Sequence, residues 1–194
     1  RVAFVFNPVS GIQGAESRRA RLEQLARAAG LECELAETDE SEGARPLARH
    51  AVQDGVERVL VSGGDGTVAE AAEVLAGTDV ILAVVPGGTG NLLAANLGLP
   101  LDPAAAIRLG LTGTPRRIDV GRANGHVFLI VAGMGADARM IRDADRDLKR
   151  RFGALAYFIA AFRNLRRPLG RYRITIDGRR ITRRAQTVLV ANLG

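Results

Sequence analysis

The stretch Leu60-Val61-Ser62-Gly63-Gly64-Asp65-Gly66-Thr67 decides how the chain is read. It closes a run from Val56 to Val61, apolar except for Glu57 and Arg58, and opens onto Val68 to Ala76, which has helical composition and spacing. A strand therefore hands three glycines and one carboxylate to the start of a helix. Glycines let backbone approach a ligand closely, and the free N–H groups of a helix start attract an anion, most often phosphate. Asp65 conflicts with that simple picture. A carboxylate beside phosphate is repelled unless it holds a metal ion or takes a proton, so the loop points to chemistry.

Upstream, Val2 to Phe6 reads as a buried strand that ends in the turn formers Asn7-Pro8-Val9-Ser10-Gly11. Ser17 to Ala29 follows as a helix, with Leu22, Leu25 and Ala29 on one face and arginines on the other. Leu31 to Ala36 alternates like a half-open strand, Thr38 sits in the polar loop after it, and Gly43 to Asp54 reads as a second helix. Downstream, Val80 to Val85 is an all-apolar strand running into Pro86-Gly87-Gly88-Thr89-Gly90-Asn91. Short helices over 92–97 and 102–111 complete the alternation. Strand and helix alternating in this way predict an α/β fold with a mostly parallel sheet. Ligands in such sheets sit beyond the carboxyl ends of the strands. The loops 7–11, 62–67 and 86–91 all leave strands on that edge.

From about Thr112 the texture changes. Arg117 to Ala123, Asn124-Gly125 and His126 to Val131 read as a hairpin, because Asn-Gly is a favoured two-residue turn. Gly133 to Asp137 leads into a charged helical stretch up to Arg151, and Phe152 to Leu165 reads as a helix. Arg171 to Asp177, Gly178, and Arg180 to Val190 form a second alternating hairpin. The expected division is an α/β domain over 1–111 and a basic, β-rich domain over 112–194, the latter expected to be incomplete because its hairpins leave open edges.

Net charge is +6, but residues 1–107 carry 8 basic and 15 acidic side chains while 108–194 carry 19 and 6. That asymmetry predicts an anionic partner for the second half, membrane headgroups or nucleic acid. The single cysteine, Cys33, excludes an internal disulfide and fits a reducing compartment. The chain opens directly on a strand pattern without Met, which suggests a piece of a longer protein. No stretch reaches the about 20 apolar residues that a bilayer span needs. Walker A, dinucleotide-fold, zinc and serine-hydrolase patterns are absent, and His50 and His126 read as structural.

The remaining motifs carry a resemblance. Asn7-Pro8-x-Ser10-Gly11, Gly63-Gly64-Asp65-Gly66-Thr67 with Glu70 behind it, and Gly88-Thr89-Gly90-Asn91 are followed by Ile118-Asp119-x-Gly121, Gly133-x-Gly135-x-Asp137-Ala138 and Gly153-Ala154-Leu155-Ala156-Tyr157. The chain resembles the catalytic region of the diacylglycerol kinase and sphingosine kinase family, the soluble bacterial diacylglycerol kinases above all. The Gly-Gly-Asp-Gly element is shared with NAD kinases and phosphofructokinases. Ile12, Ala69 and Leu92 depart from the family pattern of Lys, Asn and an acidic residue.

The resemblance implies a Rossmann-like sheet with helices on both faces, then part of a sandwich-like β domain, with ATP and Mg²⁺ as cofactors. It implies nucleotide contacts from Asn7, Pro8, Ser10, Gly11, Thr38, Gly63, Gly64, Asp65, Gly66, Thr67, Glu70, Gly88, Thr89 and Asn91. Asp65 would hold the metal or engage the acceptor hydroxyl, with Asp119 as a second acidic catalytic position unless it is merely an edge charge beside Arg117. Later family carboxylates would lie beyond Gly194. The expected acceptor is diacylglycerol or a related lipid alcohol. The expected location is cytoplasmic and peripheral to an anionic membrane, which Lys149-Arg150-Arg151 and the apolar 152–162 segment would contact unless that segment packs internally. No nucleic acid is expected, and a homodimer is left open. Two alternatives stand: a soluble-metabolite kinase of the NAD kinase kind, and a non-catalytic nucleotide- or nucleic-acid-binding fragment.

Overall fold

The computed structural model describes residues 1–11, 14–32, 34–135 and 169–192. Ile12, Cys33, the helical expectations between Asp137 and Leu165, the basic-apolar 149–162 segment and the motifs at Ala138 and 153–157 lie outside them.

Four short apolar runs form one parallel sheet: β1 (Val2–Phe6), β2 (Leu35–Glu37), β3 (Arg58–Gly63) and β4 (Ile81–Pro86), in the order β2-β1-β3-β4. Helices α1 (Ala15–Ala28), α2 (Arg45–Gln53), α3 (Asp65–Leu75), α4 (Leu92–Asn96) and α5 (Pro103–Thr112) connect and follow the strands. The period-two alternation of the strands sorts the core into two layers. Val5, Val59 and Val61 face α2 and α3 with Ala48, Val68 and Leu75. Phe4, Phe6, Leu60 and Val85 face α1 and α5 with Leu22, Ala26 and Ile107. The fold is therefore α/β, a parallel sheet flanked by helices on both faces, as the alternation predicts.

The chain runs from β1 outward to β2, then returns across β1 to start β3 on the other side. The strand order reverses between β1 and β3. A crevice opens at such a switch point, at the carboxyl ends of the two strands.

The remaining strands are antiparallel. β5 (Gly121–Ala123) pairs with β6 (His126–Phe128) across Asn124-Gly125, both at positive φ, 51° and 86°, as a primed hairpin turn demands. This hairpin is shorter than expected and packs on α3, where Val127 and Leu129 join the core. The contact division accordingly falls later than residue 111. One compact unit comprises Arg1–Ile130 with Asn192–Gly194, the other Val131–Ala191.

In the second unit, β8 (Gly170–Ile176) pairs with β9 (Arg179–Ala185) about Asp177-Gly178. β7 (Val131–Gly135) pairs antiparallel with β10 (Thr187–Ala191). The expected single strand over 180–190 is thus two, broken at Gln186, and its second half pairs with 131–135 instead of 171–177.

Candidate functional site

The site is built where β1, β3 and β4 end. The ladder does not stop with the strands: Asn7 N donates to Ser62 O at 2.8 Å and Gly87 N to Gly63 O at 3.0 Å. Three glycine-rich or polar loops therefore leave the sheet in register. Asn7 closes the switch-point crevice, its Nδ2 donating to Thr67 Oγ1 at 2.7 Å across 60 residues of sequence. Its Oδ1 accepts from Val9 N at 3.0 Å, and its carbonyl accepts from the Ser10 hydroxyl at 2.9 Å. Each polar group of Asn7 thus helps to hold loops in place.

The 62–67 and 86–91 loops touch through backbone. A Cβ on Gly88 would lie 2.6 Å from Gly64 Cα, and one on Gly11 would lie 2.7 Å from Gly87 O. Gly11 also sits at φ 81°, where a side chain is strained. The three loops therefore present one surface of bare main chain, which only glycine permits. Asn91 folds the last loop, accepting from Gly88 N at 3.0 Å and donating to Gly88 O at 2.8 Å. Its own φ of 46° is one that Asn tolerates better than most residues.

α3 begins directly at Asp65, behind an extended Gly64 that offers no side-chain cap. Its first N–H groups are left for another partner. Asp65 lies in the first turn, where the helix dipole favours negative charge. Its Oδ1 accepts from Leu93 N at 3.2 Å, reaching the start of α4, while Oδ2 lies on the Gly90 side. Thr67 is buried and Thr89 and Gly66 are exposed, while Pro8, Ser10 and Gly64 are half-buried.

Not every expected position joins this cradle directly. Thr38 follows β2, one strand outward; it is buried, with its N–H on Phe6 O at 2.9 Å. Glu70, one turn into α3, faces α2: Oε2 accepts from Ala44 N at 2.8 Å, and Oε1 pairs with Arg45 at 3.5 Å. Asp119 precedes β5 with its side chain exposed, and its carbonyl accepts from Asn192 Nδ2 at 2.7 Å. Among the described residues no hydrogen bond or ion pair joins its carboxylate to the three loops. Arg117 is paired with Asp79 at 3.3 Å, not with Asp119. The histidines meet carboxylates at the surface, His50 with Asp54 and His126 with Glu73.

Arg18 was expected on the solvent face of α1, and the structure corrects this. It is 9% exposed and turned under the first loop. Nη2 donates to Asn7 O at 3.2 Å and to Ser10 Oγ at 2.9 Å; Nη1 reaches Pro8 O and, very closely, Ser10 O. The guanidinium lies 5.0 Å from the Phe6 ring centroid, a cation–π arrangement. Burial pulls its pKa below the ordinary arginine value. The available signal is spacing: 18, 22 and 26 are all buried on α1, a stripe that continues Leu22 and Ala26 by one turn.

The comparisons with known proteins agree with this architecture. The diacylglycerol kinase catalytic domain model matches residues 1–123. A diacylglycerol kinase of Mycobacterium tuberculosis is 35% identical over 190 residues, covering 92% of this chain and 60% of that protein. A probable YegS-like lipid kinase of Pseudomonas aeruginosa is 39% identical over 135 residues, covering 69% of this chain and 44% of that protein. The crystal structure of a diacylglycerol kinase from Bacillus anthracis superposes with a TM-score of 0.79 at 28% identity, covering all of this chain and 64% of that one. The chain thus spans roughly half to two thirds of the length of these relatives. On its sequence motifs, its three-loop cradle and these likenesses together, the chain belongs to the diacylglycerol kinase catalytic domain family.

Proposed function

We propose that the chain is the nucleotide-binding and phosphoryl-transfer part of a lipid kinase that uses ATP and Mg²⁺ to phosphorylate the hydroxyl of diacylglycerol or a related lipid alcohol. The observation that carries this reading is the cradle at the β1/β3 switch point. There, bare main chain from three loops meets the open N-terminus of α3, with one carboxylate, Asp65, at its rim. ATP bound with Mg²⁺ supplies the phosphoryl group and the charge neutralisation that its transfer needs.

The residues fit that group. Side-chain-free backbone and an uncapped helix start suit phosphate oxygens. Among the described residues no cluster of three or more His, Cys, Asp or Glu forms a metal cage. A metal here would be held by Asp65 together with phosphates and water, the usual manner for Mg²⁺. Asp65 Oδ1 is anchored on Leu93 N, which leaves Oδ2 to hold the metal or orient the acceptor hydroxyl. Asn7 and Thr67 lock two of the loops together, and Arg18 fixes the first from beneath. Glu70 acts at one remove, holding the start of α2. Asp119 is the second acidic group of the proposed machinery.

The same reading includes peripheral attachment at the cytoplasmic side of an anionic membrane, since the acceptor resides there and residues 108–194 are strongly basic. Among the described residues no helix is long and apolar enough to cross a bilayer.

The deciding experiment compares wild type with Asp65→Asn by ATP–Mg²⁺ titration and by phosphate transfer to a panel of lipid alcohols and to NAD. The asparagine keeps an oxygen for Leu93 N, so nucleotide should still bind, while transfer falls by roughly a thousandfold. Transfer to NAD but to no lipid would hand the site to the soluble-metabolite reading. Equal transfer by both proteins would remove Asp65 from the mechanism.

A further inference from the structure

The β8–β9 hairpin carries a charge distribution that the nucleotide cradle does not use. In antiparallel pairing, partners share a face and neighbours alternate. The register Arg171↔Arg184, Arg173↔Thr182 and Thr175↔Arg180 puts four arginines and two threonines on one face. The intervening pairs, Tyr172↔Arg183, Ile174↔Ile181 and Ile176↔Arg179, take the other. The two faces are in different surroundings. Tyr172 and Ile174 are half-buried, and the Tyr172 hydroxyl is 3.5 Å from Gln186 O, at the entry to β10. Gly135, at φ 104°, lies so close that a Cβ there would collide with the Tyr172 hydroxyl and Gln186 O. The Tyr172 end of that face is therefore turned onto its own unit, while Ile176, Arg179, Ile181 and Arg183 on it are exposed. The arginine face is exposed at all six positions.

Exposed arginines ordinarily sit among carboxylates. In 169–192 there are six arginines and a single acidic residue, Asp177 in the turn. No ion pair engages Arg171, Arg173, Arg180 or Arg184 among the described residues. Residues two apart on a strand are about 7 Å apart and paired residues about 5 Å, so the four guanidiniums form a patch two rows wide. Such a patch repels itself and has unspent hydrogen-bond donors suited to phosphate. The exposed Leu169 at the base fringes it with apolar surface.

We infer that this face, Arg171, Arg173, Arg180 and Arg184, is a docking surface for the phosphate headgroups of an anionic lipid bilayer. The inference rests on the lipid-kinase reading for its choice of partner, since an enzyme whose acceptor lies in a membrane must approach that surface. Chemistry disfavours nucleic acid as the occupant. The only aromatic ring of the hairpin, Tyr172, is on the opposite face, so no stacking platform accompanies the charge. The arginine face also lacks the Asn and Gln side chains that read base edges.

The test is sedimentation with phosphatidylcholine vesicles, with and without phosphatidylglycerol. Two variants of equal net charge are compared with wild type: Arg171→Gln/Arg173→Gln/Arg180→Gln/Arg184→Gln on the hairpin, and Arg21→Gln/Arg49→Gln/Arg108→Gln/Arg116→Gln on the first unit. Wild type should bind only the anionic vesicles and release them in high salt. At about fivefold per arginine, the hairpin variant should lose a hundredfold or more, and the control variant little. A third variant, with lysine at the four hairpin positions, should keep most of the binding and guards against loss of fold. Equal losses in hairpin and control variants, or a hairpin variant within a few-fold of wild type, overturn the inference. So does tighter binding of duplex DNA or RNA than of vesicles through the same arginines. Phosphate transfer to diacylglycerol in uncharged detergent micelles separates the two claims. Transfer there without arginine-dependent vesicle binding sinks the docking surface alone; arginine-dependent binding without transfer sinks the kinase alone.

Discussion

Arg18 shows what a single side chain contributes to this site, because it satisfies carbonyls that a sharply turned loop cannot satisfy for itself. The chain from Asn7 to Ser10 aims three carbonyl oxygens and a hydroxyl inward, and one planar fork collects them. Replacing Arg18 with Met should lower stability by about 2 kcal/mol, read as a fall in urea midpoint, because charge-assisted bonds are lost and their half-buried acceptors are left without a partner. Arg18→Lys should recover little, since an ammonium lacks the fork. If the lysine variant matches wild type, the loop depends on charge and not on geometry. Thr67→Val tests the neighbouring bond: losing the acceptor for Asn7 Nδ2 should cost about 1 kcal/mol and weaken ATP by roughly fivefold. Sequence disclosed Asn7, the glycines and Asp65 because each breaks an otherwise apolar pattern. It concealed Arg18, because a charged residue on an amphipathic helix is assigned to solvent unless its partner carbonyls are known.

Elements follow a similar division between local and distant causes. Three strands of the parallel sheet were legible because burial on both faces leaves short apolar runs that end in turn formers, and β2 because its apolar and charged residues alternate. The turns at Asn124-Gly125 and Asp177-Gly178 were legible because left-handed backbone selects those residues. The division of 180–190 at Gln186 was not, since β10 is defined by a partner, β7, more than fifty residues upstream. Nor was the seat of the β5–β6 hairpin. Glu73 on α3 accepts from Arg45 at 3.1 Å and meets His126 at 3.4 Å, so one carboxylate ties α2, α3 and β6 together. Hydrogen bonding to Arg45 chiefly, opposed by burial and reinforced by His126, holds the Glu73 carboxyl below its ordinary value. A carboxyl so lowered takes its proton more readily in the unfolded chain, so its contribution is complete above the unfolded pKa of about 4.3 and fades as pH drops through the folded value. Urea midpoints of wild type and Glu73→Gln should therefore differ at pH 6 and converge in the acid range below pH 4. A gap that persists there would mean the tie is not ionic.

For the whole molecule, the first unit should behave as a ligand-stabilised body. ATP–Mg²⁺ at about a hundred times its dissociation constant should stabilise the cradle's unit by about 2.7 kcal/mol, visible as a rise in its melting temperature of roughly 5–10 °C. Asp119→Ala should leave that rise intact, because its carboxylate makes no bond to the three loops among the described residues. The basic excess of residues 108–194 suits the proposed approach to an anionic surface, whereas the acidic excess of 1–107 leaves phosphate binding to the backbone N–H groups of the cradle. The reversal of strand order between β1 and β3 also bears on how the protein comes to exist. Asn7 and Thr67 are brought together only when β3 docks beside β1, after the intervening β2 and α2 have been laid down. Parallel pairing over such separations is slow, because the loop must close before any contact rewards it. No local fragment of the chain can hold phosphate in this way. A ribosome-bound chain halted before Arg58 has emerged has the Asn7 loop and nothing for it to face, whereas one extended past Asn91 has the whole cradle. Nucleotide in the cell would then act on the nascent protein late and all at once, as a ratchet on the closing sheet.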